Sequence, residues 1–482
     1  MVLAVIEAVY RFLWGDLFTI PIGNGNGIGI PLLVLLLIPT GIYFTIRTKF
    51  LPVRLFPDMI RALGGKKKEE GGLSPVQTLF VSTATRVGMG NLVGVVAAIS
   101  AGGAGAVFWM WIIAILGSAS ALAESTLAQI YKKKGKDGEC YGGPAYYIEA
   151  ALHCRPLAIV FCISMIATYA FGFNMLASYN LQSTFSGFSF YDTKWTPWII
   201  GGILALITGW CLLGGGSRIV KVTSTLVPAM GVAYILIAVI VMIINHAYLP
   251  VVFSKIISEA FDFQAIFGAF AGSAMMQGIR RGLYSNEAGI GSAPNASASA
   301  QVSHPIKQGL VQMLSVFIDT LLLCTATAMM CLSSGIAPAQ ELQGAPWVQA
   351  ALHESLGNFG PLFITVAMVL FAFTTLLGNC FYCDNLLNYI HKGQPSKTFM
   401  KGFRIVSALV VFIGAGMEVS MLWNISDVLM GVMALINIPV ILILSNTALK
   451  ALADYEKQKK DGENPVFRAR DIGLEYETDY WG

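Results

Sequence analysis

The stretch from Pro75 to Ser100, PVQTLFVSTATRVGMGNLVGVVAAIS, constrains this chain more than any other. It is long enough to cross a bilayer, which takes roughly 20 residues. Its middle, Thr83 to Asn91, holds two glycines, two threonines, an arginine and an asparagine. In hydrocarbon every backbone N–H and C=O needs a partner, so helix-breaking residues at that depth occur only inside protein or beside a cavity. A membrane helix broken at mid-depth offers free N–H groups to anions and free carbonyls to cations. Glycines such as Gly88 and Gly90 also occur in membrane helices simply to permit close packing. Arg86 argues for more than packing, because a charge within a membrane segment costs about 2.5 kcal/mol or more and marks a functional position.

Composition places the rest of the chain in the same setting. Of 482 residues 55% are hydrophobic and 12% charged, and mean hydropathy is +0.67; a soluble domain carries about 25% charged residues. The reading is an all-α polytopic membrane protein. Net charge +4 requires no nucleic-acid partner, since the basic residues lie in short loops. The cysteines show neither a disulfide framework nor zinc spacing, and Cys380 and Cys383, although spaced CxxC, fall on a membrane helix. The N-terminal MVLAVIEAVYRFLWGDLFTI lacks the basic start and cleavage site of a signal peptide and reads as an interfacial amphipathic helix.

Eleven segments can span: 28–46, 76–99, 105–131, 156–180, 196–214, 219–245, 263–300 (interrupted), 307–334, 361–390, 403–418 and 422–446. Placing the N-terminus outside puts Arg47 to Lys68, Lys132 to Arg155, Arg218, Lys221, Lys307, Lys392 to Arg404 and the tail from Lys450 inside. Only Arg11, Lys194 and Lys255 then lie outside, while Arg86, Arg280 and Arg281 fall within broken segments. This is the asymmetry of the positive-inside rule, with the C-terminus inside.

The segment at 263–300 is a second broken helix, with Gly272, Ser273, Gln277 and Gly278 followed by a polar run through Asn286, Glu287, Gly289, Gly291 and Pro294. Each broken helix heads five spans. An odd number inverts the second set against the first, and paired broken helices in inverted halves point to a secondary transporter with a midplane site. The chain then divides into 1–75 (interfacial helix, peripheral span, basic inner loop), 76–245 (first five-helix repeat), 246–449 (second, inverted repeat) and 450–482 (inner tail without catalytic signature). The outer loop 333–360 contains APWVQAALHESLG, a helix placed to act as lid or connector.

Arg86-Val87-Gly88-Met89-Gly90-Asn91, the run Gly102-Gly103-Ala104-Gly105-Ala106-Val107-Phe108-Trp109-Met110-Trp111, and Gly278 to Gly289 with the following GIGSAPNA together resemble the alanine or glycine:cation symporter family (sodium:alanine symporters). The resemblance covers about 20 to 475. It implies the leucine-transporter fold, alternating access, and sodium-driven uptake of neutral amino acids in a cell (inner) membrane, with sodium as the coupling ion and no enzymatic activity.

Site residues follow partly from chemistry and partly from that likeness. N–H groups near Gly88, Met89 and Gly90 suit a substrate carboxylate, with Thr85 as a hydroxyl partner. Ser273, Met276, Gln277 and Gly278 are expected to face the substrate; Gln277 can donate and accept, and Met276 serves as apolar wall. Sodium needs hard oxygens. Of the adjacent Thr374 and Thr375 one hydroxyl can face the ion and the other the amino group: Thr374 is assigned to sodium, Thr375 to substrate, and by likeness the Ala84 and Val87 carbonyls complete the ion site. The plain alternative is that both threonines bond to their own preceding turn. Glu124, Glu287, Asp319 and Asp384 are acids in or near spans; Arg280 or Arg281 is the candidate partner of Glu287.

Two departures from the family pattern concern substrate size. Asn379 stands where the family usually has Trp, and Ser178 where it tends to have Gln. A roomier, more polar pocket admitting glutamine follows as an expectation. The competing readings are a proton-coupled amino acid symporter using Glu124, Asp319 and Asp384, a passive facilitator, and a sensor. No phosphate-binding loop points to ATP.

Overall fold

The structure is a computed structural model that describes residues 2–23, 26–65, 73–135, 139–262, 273–338, 344–474 and 478–481. Among them eight helices are long and apolar enough to span a membrane, and a ninth span is a bent pair. The eight are α7 (Gly105–Ile130), α9 (Arg155–Ser183), α10 (Thr196–Leu213), α11 (Gly215–Ile244), α15 (Pro305–Leu332), α17 (Phe359–Ile390), α18 (Lys397–Ala415) and α19 (Val419–Ile443). The bent pair is α5 (Pro75–Arg86) with α6 (Gly90–Gly102), turning by 47°. Two expected segments remain. The 28–46 segment forms α2 (Leu32–Arg47), with Pro39 inside it. The 263–300 segment, described from 273 onward, supplies α13 (Ala274–Asn286) and the one-turn α14 (Pro294–Ser297); Gly272 lies outside the described residues.

Local sequence explains the helix ends that matter. Ser74 and Gln77 form a reciprocal cap at the start of α5, with Pro75 in the first turn, which satisfies two backbone donors at once. Just before it, Leu73 pairs strand-like with the chain after α14: its N–H donates to Ser299 O (3.0 Å), and Gln301 N–H donates to Leu73 O (2.9 Å). The two broken segments are thus tied at one end.

The N-terminal helix α1 (Val2–Trp14) is not merely interfacial. Leu13 and Trp14 are buried, and Trp14 Nε1 donates to Asp427 O of α19 at 3.0 Å. A hairpin, β1 (Asp16–Gly23) and β2 (Asn26–Pro31), follows it, and the sequence reading missed it.

Apolar side chains face outward on α10 and α11, where Leu206, Trp210 and Ile243 are each about two-thirds exposed or more. Polar residues concentrate instead in the interior, along α5, α7, α13 and α15. That inversion is what lipid as solvent demands. The α7 residues from Gly117 to Ile130 are all buried.

Beyond α20 (Ser445–Lys460) the tail is docked rather than free. Phe467 N–H donates to Ser303 O (2.9 Å), Trp481 Nε1 donates to Gln129 O (2.7 Å), and Lys132 Nζ lies 3.7 Å from the Tyr480 ring centroid. Helix α16 (Ala345–Leu356) buries Trp347 completely, and Gln349 Nε2 donates to Thr184 O at the end of α9.

Candidate functional site

The first break is built by Arg86 to Met89. Val87 leaves helical geometry (ψ 78°). Gly88 N–H, which would continue the ladder to the Ala84 carbonyl, donates instead to Arg86 O and to Asn91 Oδ1, both at 2.9 Å. The Ala84 carbonyl thereby loses its helical partner at the C-terminal, negative end of α5, where a cation is favoured.

Helix α17 closes this face. A methyl group on Gly88 would lie 2.0 Å from Thr375 Oγ1 and 3.4 Å from the Phe371 carbonyl oxygen. Only glycine lets the two approach. Thr375 Oγ1 is buried without a hydrogen-bond partner. Thr374 Oγ1, by contrast, donates to Leu370 O (2.9 Å) and Phe371 O (3.2 Å) in its own preceding turn. Of the threonine pair, the side chain aimed at the break is therefore Thr375, and Thr374 follows the plain alternative.

Among the described residues of the second segment the chain breaks at Glu287–Ala293. Glu287 ends α13 with left-handed backbone (φ 56°), and Gly289 and Gly291 also have positive φ. The breaks touch: Gly90 approaches Ser285 so closely that a methyl would meet its Cα at 2.9 Å, and Thr85 Oγ1 lies 3.4 Å from Glu287 Oε2 and 3.1 Å from Tyr382 OH.

This placement relocates four expected residues. Ser273 caps α13 by accepting from Met276 N–H (3.2 Å). Met276 is in the apolar core, the Gln277 stem packs on Gly102, and Gly278 sits against Ala106 and Trp109 of α7. From Gly278 to Glu287 a helix rises about 13 Å, so these four stand a helix length from the break at Glu287–Ala293, next to residues 263–272, which lie outside the described residues. The sequence shows glycines in both places; periodicity alone could not tell which pair interrupts the helix.

Thr85, Gly88, Met89, Gly90 and Asn379 are buried around the first break and α17. Asn379 Nδ2 donates to Asn174 Oδ1 at 2.8 Å, joining α17 to α9, while Asn379 Oδ1 and Ser178 Oγ have no partner. Buried oxygens without partners are costly in an apolar interior, so these two, with Thr375 Oγ1, read as places for a polar ligand.

The buried charges pair differently from expectation. Arg281 binds Asp427 (2.6 Å) and lies over Trp423, and Arg280 lies over Tyr10 and Trp14; neither reaches Glu287. Asp384 pairs with Arg404 (2.9 Å) on the wall of a cavity of about 750 Å³ between the ends of α10, α11, α17 and α18. Asn91, unassigned in the sequence reading, is a hub: beyond Gly88 it donates to Asp319 Oδ1 (2.7 Å) and Asp319 O (2.9 Å) on α15. Its place three residues after Gly88 was the available signal, since a short amide there can bond back to the break.

Comparison with known proteins agrees with this architecture. A solved manganese transporter mutant (E129Q) from Eremococcus coleocola, of the leucine-transporter fold, matches 84% of this chain and 81% of its own at TM-score 0.54 and 12% identity, a likeness of fold alone. The amino-acid carrier protein AlsT of Bacillus subtilis is 43% identical over 97% of this chain and 95% of its own. The protein of that organism named probable sodium/glutamine symporter GlnT is 42% identical over 90% of each. The profile of the sodium:alanine symporter family matches residues 19–469. With nearly its whole length matched, this multi-pass membrane protein is a transporter and not an enzyme, and it belongs to the sodium:alanine symporter family.

Proposed function

We propose that the protein imports neutral amino acids with sodium by alternating access, and that sodium sits at the first break. The observation that carries this is the Thr375 hydroxyl, buried without a partner and aimed at Gly88. In this reading the Ala84 and Val87 carbonyls join it with the Phe371 carbonyl, which also faces Gly88, a set of hard oxygens suited to a small cation. Thr374 contributes through its position on α17, its hydroxyl being engaged elsewhere.

The amino acid then lies between the first break and the α9–α17 face. Its carboxylate is held by the Met89 and Gly90 backbone at the start of α6, and its side chain is directed to Ser178 and Asn379. A short polar wall at these two positions favours glutamine beside alanine and glycine, in keeping with a relative named for glutamine. The two five-helix repeats (76–245 and 246–449), the outside N-terminus and the inside C-terminus are parts of the same reading. In that orientation the cavity at Asp384 and Arg404 is the inner vestibule.

The test is radiolabelled uptake into proteoliposomes with and without an inward sodium gradient, comparing alanine, glycine and glutamine. Accumulation that follows the gradient supports the reading. Equilibration without accumulation makes the protein a facilitator, and binding without uptake makes it a sensor.

A further inference from the structure

Helices α17 and α18 face each other across the cavity of about 750 Å³ with opposite chemistry. α17 presents Asp384, Asn385 and Asn388, spaced to share one face of a helix. α18 presents Lys397, Lys401 and Arg404, again on one face. Arg404 and Asp384 pair across the gap, Nη2 to Oδ2 at 2.9 Å, with side chains 17% and 21% exposed. The two lysines add positive charge that this pair leaves unbalanced. A second acid on the wall, Glu139 after α7, accepts from the Tyr141 hydroxyl at 3.1 Å.

The α17 wall is left with acceptors to satisfy. Asp384 Oδ1 and Asn385 Oδ1 are both buried without a hydrogen-bond partner. Asn385 is 5% exposed and fixed from its other end, where Nδ2 donates to Gly142 O and to Asn295 Oδ1 of α14 (2.7 Å). A buried oxygen without a donor is costly, and the cavity is the side from which a donor can arrive. An inorganic anion drawn in by Lys401 and Arg404 would face these two oxygens and be repelled. A simple cation drawn in by the oxygens would face three positive side chains. A ligand that carries an ammonium and a carboxylate a few bonds apart satisfies both walls, which is electrostatic complementarity in the usual sense. The volume also lies within the range of small-molecule pockets, about 300–1,000 Å³.

We infer that this cleft is a second amino acid site, separate from the one at the first break, which takes a free α-amino acid as its zwitterion. The carboxylate lies between Lys401 and Arg404, and the ammonium donates to Asp384 Oδ1 and Asn385 Oδ1. Binding here needs no sodium, because the ammonium itself meets the acceptors. From Asn379, at the proposed transport site, α17 rises about 7.5 Å to Asp384. The cleft is thus the next station inward along the same helix. An amino acid leaving the first break passes it before reaching water, and one that accumulates inside returns to it. That order of events rests on the symport reading above; the binding itself does not.

The full-length protein is purified in detergent, and equilibrium binding of radiolabelled alanine is measured with potassium in place of sodium. Wild type shows saturable binding in potassium, and sodium adds a further class of site. Lys401→Gln and Asp384→Asn each weaken the sodium-independent binding at least about tenfold and leave the sodium-dependent class in place. N-acetylalanine keeps only the carboxylate and alanine methyl ester only the ammonium; these and inorganic phosphate each compete at least about tenfold more weakly than alanine. The inference is overturned by no saturable binding in potassium, by unchanged affinity in either folded variant, or by loss of both classes together in Lys401→Gln. Displacement by phosphate or by a single-charge analogue as readily as by alanine overturns it too. Asp384→Asn leaves Arg404 without its partner; if that variant is not recovered folded, Lys401→Gln, which changes an exposed side chain, decides alone. A protein that binds in this way but accumulates nothing under a sodium gradient after reconstitution defeats the symport reading and keeps the site.

Discussion

The Thr375 hydroxyl and the Gly88 backbone meet where α5 breaks, so closely that a methyl group on Gly88 would stand 2.0 Å from Thr375 Oγ1. The clash involves a β-branched side chain on a long, tightly packed helix, which has little room to yield. Gly88→Ala therefore costs about 1–3 kcal/mol in stability as an overpacked core. It also removes sodium-driven uptake altogether, because the displaced hydroxyl no longer faces the break. A variant that melts lower but transports at the wild-type rate contradicts the second half of that prediction.

Asn379 and Asn174 join α17 to α9 through one hydrogen bond of 2.8 Å. Replacing Asn379 by Trp fills the space assigned to a longer substrate and removes the bond. Competition assays are expected to show glutamine uptake falling at least about tenfold relative to glycine, a difference of about 1.4 kcal/mol. Equal loss for both amino acids would assign Asn379 to packing and not to selectivity.

Arg281 and Asp427 form an ion pair of 2.6 Å with both side chains buried. Arg281→Met leaves Asp427 charged and uncompensated, a loss of about 3–5 kcal/mol, visible as a lower melting temperature in detergent. Adding Asp427→Asn restores most of it. If the double variant melts no higher than the single one, the pair does not carry this energy.

His304 caps α15 at its N-terminal end, contacts Asp454 of α20 at 3.2 Å, and stacks edge-on with Phe467 of the tail. Burial lowers its pKa to about 4 against the opposing pull of Asp454. The folded protein thus keeps this histidine neutral while the unfolded chain protonates near 6.5. Its contribution to stability is complete above about pH 6.5 and is lost as pH falls from there towards 4. Tail docking, followed by limited proteolysis beyond Lys460, should weaken over that window. In His304→Asn the dependence should be absent; an unchanged profile would place the acid sensitivity elsewhere.

Much of this architecture could be read from residue types. The apolar runs, the loop charges and the glycines of Val87–Asn91 locate the long helices and the first break, because bilayer thickness and backbone satisfaction act on the sequence directly. The second broken segment was read as one interval without fixing its break: Gly278 and Gly282 serve close packing on α7, whereas Gly289 and Gly291 carry positive φ. Glycine alone does not distinguish those uses. The choice between Thr374 and Thr375 depended on helix rotation about α17, which a uniform apolar helix does not reveal. Pairings such as Arg281 with Asp427, 146 positions apart, and the docking of Trp481 are long-range facts that no local pattern encodes.

The most direct test of the account is a sodium titration of amino acid uptake in Thr375→Val and Thr375→Ser beside wild type. Val keeps the shape and removes the oxygen; Ser keeps the oxygen. The account predicts that Thr375→Val raises the sodium concentration for half-maximal uptake by at least about tenfold, the loss of one ligand to a desolvated cation, while Thr375→Ser stays close to wild type. Identical sodium dependence in all three proteins would contradict the placement of sodium at the first break.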